Sequence, residues 1–163
     1  MERKTKVNAE DGKQELTITR EFDLPVELLF KAHTERDIFE EWMSHEYGKT
    51  NVLMLENKKH GSLHFQTVDP QGNILFQASG VFHEFVPNQK ITRTFEMMNT
   101  PFDVQLEFLE FDSLTNDTSR LTMHIIFRSP ALRDQLLKMP FAHGLDMAHN
   151  RLQNVVSKLN NRS

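Results

Sequence analysis

The chain has 163 residues, a formal net charge of −4 and no cysteine. A chain of this length suits one domain that buries roughly 70% of its unfolded surface without a metal or disulfide staple. Its composition excludes disulfides, thiolate nucleophiles and cysteine-ligated metals, and its scattered basic residues exclude a sequence-independent nucleic-acid footprint. No run approaches the ~20 apolar residues of a membrane span. The opening Met1–Lys6 is polar, with no apolar signal-peptide core behind it, so a cytoplasmic location is expected.

Residues 1–13 read as a loose polar leader and residues 14–160 as one domain. Leu16, Ile18 and Phe22 alternate with Thr17, Thr19 and Glu21, which predicts a first strand. Leu24-Pro25 ends it, and Pro25 suits the start of a helix carrying Val26, Leu29, Phe30 and Ala32. Thr34 is placed to cap a second short helix, with Ile38, Phe39, Trp42 and Met43 at helical spacing. From Gly48 the period changes to two. Strands are predicted around Val52–Leu55, Leu63–Thr67, Ile74–Phe85, Ile91–Met97, Val104–Phe108 and Leu121–Phe127. Asp69-Pro70-Gln71-Gly72-Asn73 is a hairpin turn, and Gly80 inside a long strand predicts a bulge or bend. Val104, Leu106 and Phe108 read as the inward face of their strand.

Ser129-Pro130 opens a helical region with a cap and a proline in the first turn. Phe141, Leu145, Ala148, Leu152, Val155 and Leu159 then follow at spacings of four, three, four, three and four, one stripe on a last helix of about 28 Å. Strands followed by a long helix make an α+β fold. The order predicts a curved antiparallel sheet of six or seven strands, two short helices after the first strand, and a C-terminal helix laid in the sheet's hollow.

The strand with Arg20, then Pro25, Phe30, Ala32 and Trp42, resembles the family of activators of heat-shock-protein-90 ATPase homologues. So do Asp69-x-x-Gly72, Gly80-x-Phe82-x-Glu84-Phe85, Pro87 and Thr94, in that order, and the likeness extends over about residues 14–160. The family lies within the superfamily of lipid-transfer, birch-pollen-allergen and polyketide-cyclase domains. Three positions depart from its pattern: Met43 where a second tryptophan is usual, Ser62 after Gly61 where a second glycine is usual, and Leu145 after Gly144 where an aromatic is usual. The resemblance implies the helix-grip fold and a cavity between sheet and helix. It implies a small, largely hydrophobic ligand there, with room for an acidic group.

The inward strand faces put Arg20, Arg93 and Glu84 in that apolar space, where a charge must be paired or meet a ligand. The candidate ligand-binding set is Arg20, Trp42, Phe65, Phe82, Glu84, Arg93, Phe95, Met97, Phe108, Met123, Phe141 and Leu145. Trp42 stands at the cavity mouth, and the methionines suit an adaptable apolar lining. His143, Asp146 and His149 share one side of the last helix but do not converge on a point, so they read as a solvated face and not a metal site. No nucleophile elbow, phosphate loop or zinc-helix motif occurs. No catalytic residue, metal or cofactor is expected. Non-catalytic ligand binding is the leading function. A co-chaperone-like protein partner is the alternative, and a cyclase- or dehydratase-type enzyme using Glu84 comes third. A homodimer is compatible with all three.

Overall fold

The computed structural model describes residues 3–160. Its elements are β1 (Lys6–Asn8), β2 (Glu15–Phe22), α1 (Val26–Thr34), α2 (Arg36–Met43), β3 (Lys49–Leu55), β4 (Ser62–Val68), β5 (Ile74–Val86), β6 (Lys90–Met97), β7 (Val104–Ser113), β8 (Ser119–Ile126), α3 (Pro130–Leu137) and α4 (Phe141–Asn160). All eight strands join one antiparallel, curved sheet in the order β1-β2-β8-β7-β6-β5-β4-β3. The strand beyond the expected six or seven is β1. It lies within the residues read as a leader and pairs Val7 with Ile18 of β2. From β3 to β8 each strand pairs with the next, and β2 closes on β8 with Ile18 opposite Met123 and Arg20 opposite Leu121. α1 and α2 therefore carry the chain from β2 across to the far edge at β3.

Turn chemistry fixes the β4–β5 hairpin. The Asp69 carboxylate accepts from the Gln71 and Asn73 backbone N–H groups at 3.0 and 2.8 Å, and Gly72 supplies a φ of 88°. Ser129 caps α3, accepting from Leu132 N at 3.2 Å ahead of Pro130. Thr34 does not cap α2. The connection is so short that Thr34 stays helical as the last residue of α1, donating its hydroxyl to the Phe30 carbonyl at 3.0 Å.

Two strands depart from simple alternation, and both departures decide what faces inward. In β5 the register shifts between Phe82 and Glu84, not at Gly80. Gly80 is instead where β6 comes close: a methyl group there would run into the Thr94 carbonyl oxygen. The shift leaves Phe82 and Phe85 both on the core side, ring centroids 5.5 Å apart, and turns His83 and Glu84 both to solvent. In β7 the inward residues are Gln105, Glu107, Leu109 and Phe111, while Val104, Leu106 and Phe108 take the opposite face. The adjacent apolar pair Phe108-Leu109 makes both parities look hydrophobic. Pairing of Leu109 with Met123 and Phe111 with Leu121 selects the observed one.

The hollow of the sheet holds two apolar clusters. The larger one centres on Phe22, Leu29, Phe30, Trp42, Phe65 and Leu152, and the smaller on Leu16, Ile18, Phe102, Ile125, Phe127 and Leu136. α4 contributes Ala148, His149, Leu152 and Val156 as its buried residues, while Leu159 is 37% exposed. The stripe is thus rotated from the expected one at its C-terminal end, and a histidine lies in it. Leu152→Ala should cost about 2–5 kcal/mol of unfolding free energy, the price of a fully buried leucine. Leu159→Ala should cost under about 1 kcal/mol. Urea denaturation of the two variants checks the rotation, since an unrotated stripe makes the two costs alike.

Candidate functional site

Four charged or amide side chains stand on the hollow face among apolar neighbours: Arg20 on β2, Arg93 on β6, and Gln105 and Glu107 on β7. Each must be satisfied by something nearby, because a buried charge without a partner is expensive. Arg20 is 3% exposed and is held by α4. Its Nη1 donates to Asp146 Oδ1 at 3.1 Å, its Nη2 to Asn150 Oδ1 at 2.9 Å and its Nε to the Glu21 carbonyl at 3.2 Å. The segment before β1 joins the same knot. Thr5 N–H donates to Asp146 Oδ1 at 2.8 Å, and the Thr5 hydroxyl lies 2.7 Å from Nδ1 of His149. The Thr5 amide, and after it the Arg20 guanidinium, holds the Asp146 carboxyl below the usual carboxylate range. Arg20 thus ties helix to sheet.

Arg93 has a different setting. Its side chain is 12% exposed, and Nε donates to Glu107 Oε1 at 2.8 Å across the β6–β7 ladder. Its guanidinium carbon stands 5.1 Å from the centroid of the Phe95 ring. The second oxygen of Glu107 accepts from Gln105 Nε2 at 2.7 Å, which fixes the orientation of that amide. Gln105 Oε1 is buried with no hydrogen-bond partner. Among the described residues the Arg93 guanidinium has one protein hydrogen bond, the one through Nε.

Around this trio the apolar lining is incomplete. Phe76, Phe95, Met97 and Met123 on the sheet, and Phe141 and Leu145 on the first turns of α4, are all half-buried although they pack against the two clusters. Met123 touches both clusters and marks the seam between them. These half-buried side chains border the seam between β6–β8 and the start of α4. Two hollows lie away from this seam. One of about 70 Å³ is lined by Asn8, Glu10 and Glu15, and an open one of about 390 Å³ by Asp37, Glu40 and Lys49.

Of the residues singled out from the sequence, Arg93, Phe95, Met97, Met123, Phe141 and Leu145 fall along this seam. Phe65 and Phe82 are fully buried in the larger cluster. Trp42 is core as well and not at a mouth: its Nε1 donates to the Ala32 carbonyl at 2.7 Å, and its ring meets those of His33 and Phe39 edge-on. Glu84 is turned outward by the β5 register shift. There it pairs with Lys90 at 2.9 Å and accepts from Thr92, and these two partners lower its pKa. Phe108 is on the outer face, stacked on His124. Sequence reasoning missed Gln105 and Glu107 because the parity of β7 was read from Val104, Leu106 and Phe108. The available signal was Phe111, which shares the parity of Gln105 and Glu107.

Two histidines, His33 half-buried and His149 buried, were also missed. The His33 ring bonds through Nδ1 to the Leu29 carbonyl at 2.9 Å, and burial, with Arg93 nearby, pushes its pKa down to about 4. His149 is 1% exposed and not solvated. Burial first, then the charges of His33 and Arg20, push it down to about 3. Among the described residues no group of three or more His, Asp or Glu could hold a metal ion.

The family model described as "Activator of Hsp90 ATPase homolog 1-like protein" matches residues 23–157. The chain belongs to this family. Its fold is the helix grip of the superfamily that also holds lipid-transfer and polyketide-cyclase domains. Among solved structures, a protein from Rhodobacter sphaeroides superposes with a TM-score of 0.85 at 17% identity, over 95% of this chain and 99% of that one. A protein from Mycobacterium smegmatis gives 0.81 at 18% identity, over 93% and 96%. One from Arthrobacter aurescens gives 0.82 at 16%, over 94% and 91%. At these identities the likeness concerns the fold alone. No curated protein matches the sequence. No helix among the described residues is long and apolar enough to cross a membrane.

The two histidines make acid stability a property of this family member's interior. Each is neutral when folded and titrates near 6.5 when unfolded, so the unfolded chain binds more protons between pH 6.5 and about 4. Stability should fall with decreasing pH across that window, by up to about 1.4 kcal/mol per pH unit for each histidine. Urea midpoints at pH 7, 5.5 and 4.5 read this out. His33→Gln should flatten the slope by roughly half, and an unchanged slope means that His33 does not drive it.

Proposed function

We propose that this protein binds a small, largely apolar molecule, without transforming it, in the seam between the sheet and the first turns of α4. The observation that carries this reading is the half-burial of Phe95, Met97, Met123, Phe141 and Leu145. Side chains that face one another across a hollow are normally closed over in a packed core. Here helix and sheet leave apolar groups only half-covered, and covering them with a ligand is favourable at roughly 25 cal/mol per Å². The two methionines suit the purpose, since an unbranched thioether adjusts to different shapes at little cost. The family membership supports the same reading, as its fold commonly serves ligand binding or co-chaperone-like interaction. The acid that a cyclase-type reaction would draw on, Glu84, stands outside the hollow on a salt bridge to Lys90.

Filling the seam from within should remove binding while keeping the fold. Met123→Trp places a large ring between the two clusters and should cost about 1–3 kcal/mol of stability. A native mass spectrum of the wild-type protein as purified is expected to show an adduct that is lost on denaturation, and the variant should show the bare chain. Equal adduct loading in both proteins places the ligand somewhere other than the seam.

A further inference from the structure

The seam has one polar end, and its chemistry restricts what can enter. Arg93 and Gln105 are bound to the two oxygens of the same Glu107 carboxylate, so they present themselves side by side. Phe95 lies directly across the ladder from Gln105, and Met97 follows on the same face. Arg93 offers N–H donors beyond its Nε. Gln105 offers the opposite, a buried carbonyl oxygen with no partner. That oxygen cannot be exchanged for the amide nitrogen by turning the side chain, because Glu107 requires a donor where the nitrogen stands. An orphaned buried acceptor costs free energy until a donor reaches it.

The charges at this end already cancel. Arg93 and Glu107 form a neutral pair, and of the two other interior guanidiniums Arg20 is taken up by Asp146 and Arg133 by Asp134. A ligand carboxylate placed here would be a second anion beside one guanidinium, removed from water and uncompensated. A neutral group that accepts from Arg93 and donates to Gln105 meets every requirement.

Resting on the ligand-binding reading above, we propose that Arg93 and Gln105 form a head-group site for a neutral amide-like group, a carboxamide or lactam carrying an apolar tail, and that Glu107 acts as its positioning residue. The site recognises the acceptor and donor edges of that group together and discriminates against carboxylic acids of the same length. Met97 and Met123 move aside to admit it.

The test compares three ten-carbon probes by isothermal titration calorimetry: decanamide, methyl decanoate and decanoate. All three share the tail. The ester is neutral but lacks a donor, and the acid is charged. Decanamide is expected to bind roughly tenfold or more tightly than either. Glu107→Gln supplies a second readout in the same protein. Without the Glu107 charge Arg93 is uncompensated, so decanoate should gain on decanamide by roughly tenfold; a purely structural role for Glu107 would shift both alike. Decanoate binding as tightly as decanamide overturns the charge argument, and methyl decanoate doing so overturns the role of Gln105. In either case the apolar seam stands. Failure of all three probes to bind overturns the seam itself and the head-group site with it.

Discussion

The position of α4 depends on Arg20. A guanidinium on the inner face of a strand, almost fully excluded from water, has to be answered, and Asp146 and Asn150 of α4 answer it at 3.1 and 2.9 Å. Two helix residues four apart are thereby fixed over one strand residue, which sets both the rotation and the axial position of the helix. The same contact explains why His149 is buried. With Asp146 and Asn150 turned to β2, His149, three residues after Asp146, is carried into the core edge-on to Phe22, ring centroids 5.5 Å apart. Thr5 completes the arrangement by meeting Asp146 and His149 at once, so the segment around β1 acts as a clasp on the helix.

Once α4 is fixed at its middle, its two halves behave differently. The C-terminal half closes on the larger cluster through Leu152 and Val156. The N-terminal half, with Phe141 and Leu145, stands over the seam where the clusters part. Arg93 sits at that seam with its charge answered from the neighbouring strand and not from the helix. Arg20 therefore ties helix to sheet, and Arg93 is held within the sheet by Glu107. The residues look alike in sequence, both inward on a strand between apolar neighbours, and the difference comes from which element supplies the carboxylate.

Much of the architecture was legible in the order of periods. The α+β class, the long last helix, the two helices after the first long strand and the Asp69–Asn73 turn all follow from alternation, spacing and turn chemistry. What could not be read was parity at irregular points. One extra residue near His83 turns Glu84 from the hollow to the surface, and the adjacent Phe108-Leu109 hides which half of β7 faces inward. β1, three residues long, carries too little pattern to separate from a polar leader. For the candidate site, Arg93, Phe95, Met97, Met123, Phe141 and Leu145 were picked from their strand and helix faces, whereas Trp42, Phe65 and Phe82 are packed core and Phe108 lies on the outer face. Glu107 and Gln105 were not picked, because acidic and amide residues in an alternating strand ordinarily read as the solvent face. His149 was misplaced because only tertiary contacts, Arg20 holding Asp146 and Asn150 and Thr5 meeting the imidazole, make it a core residue.

Methionine methyl groups report on the central claim directly, because they fall on both sides of it. Met97 and Met123 line the seam, whereas Met54, Met139 and Met147 are about half exposed on the surface. In a ¹H–¹³C spectrum of protein labelled at the methionine methyls and titrated with decanamide, Met97 and Met123 should shift together and saturate together, with Met54 and Met139 unmoved. Shifts confined to Met54 or Met139, or a spectrum unchanged at saturating probe, would contradict a ligand seam beneath α4.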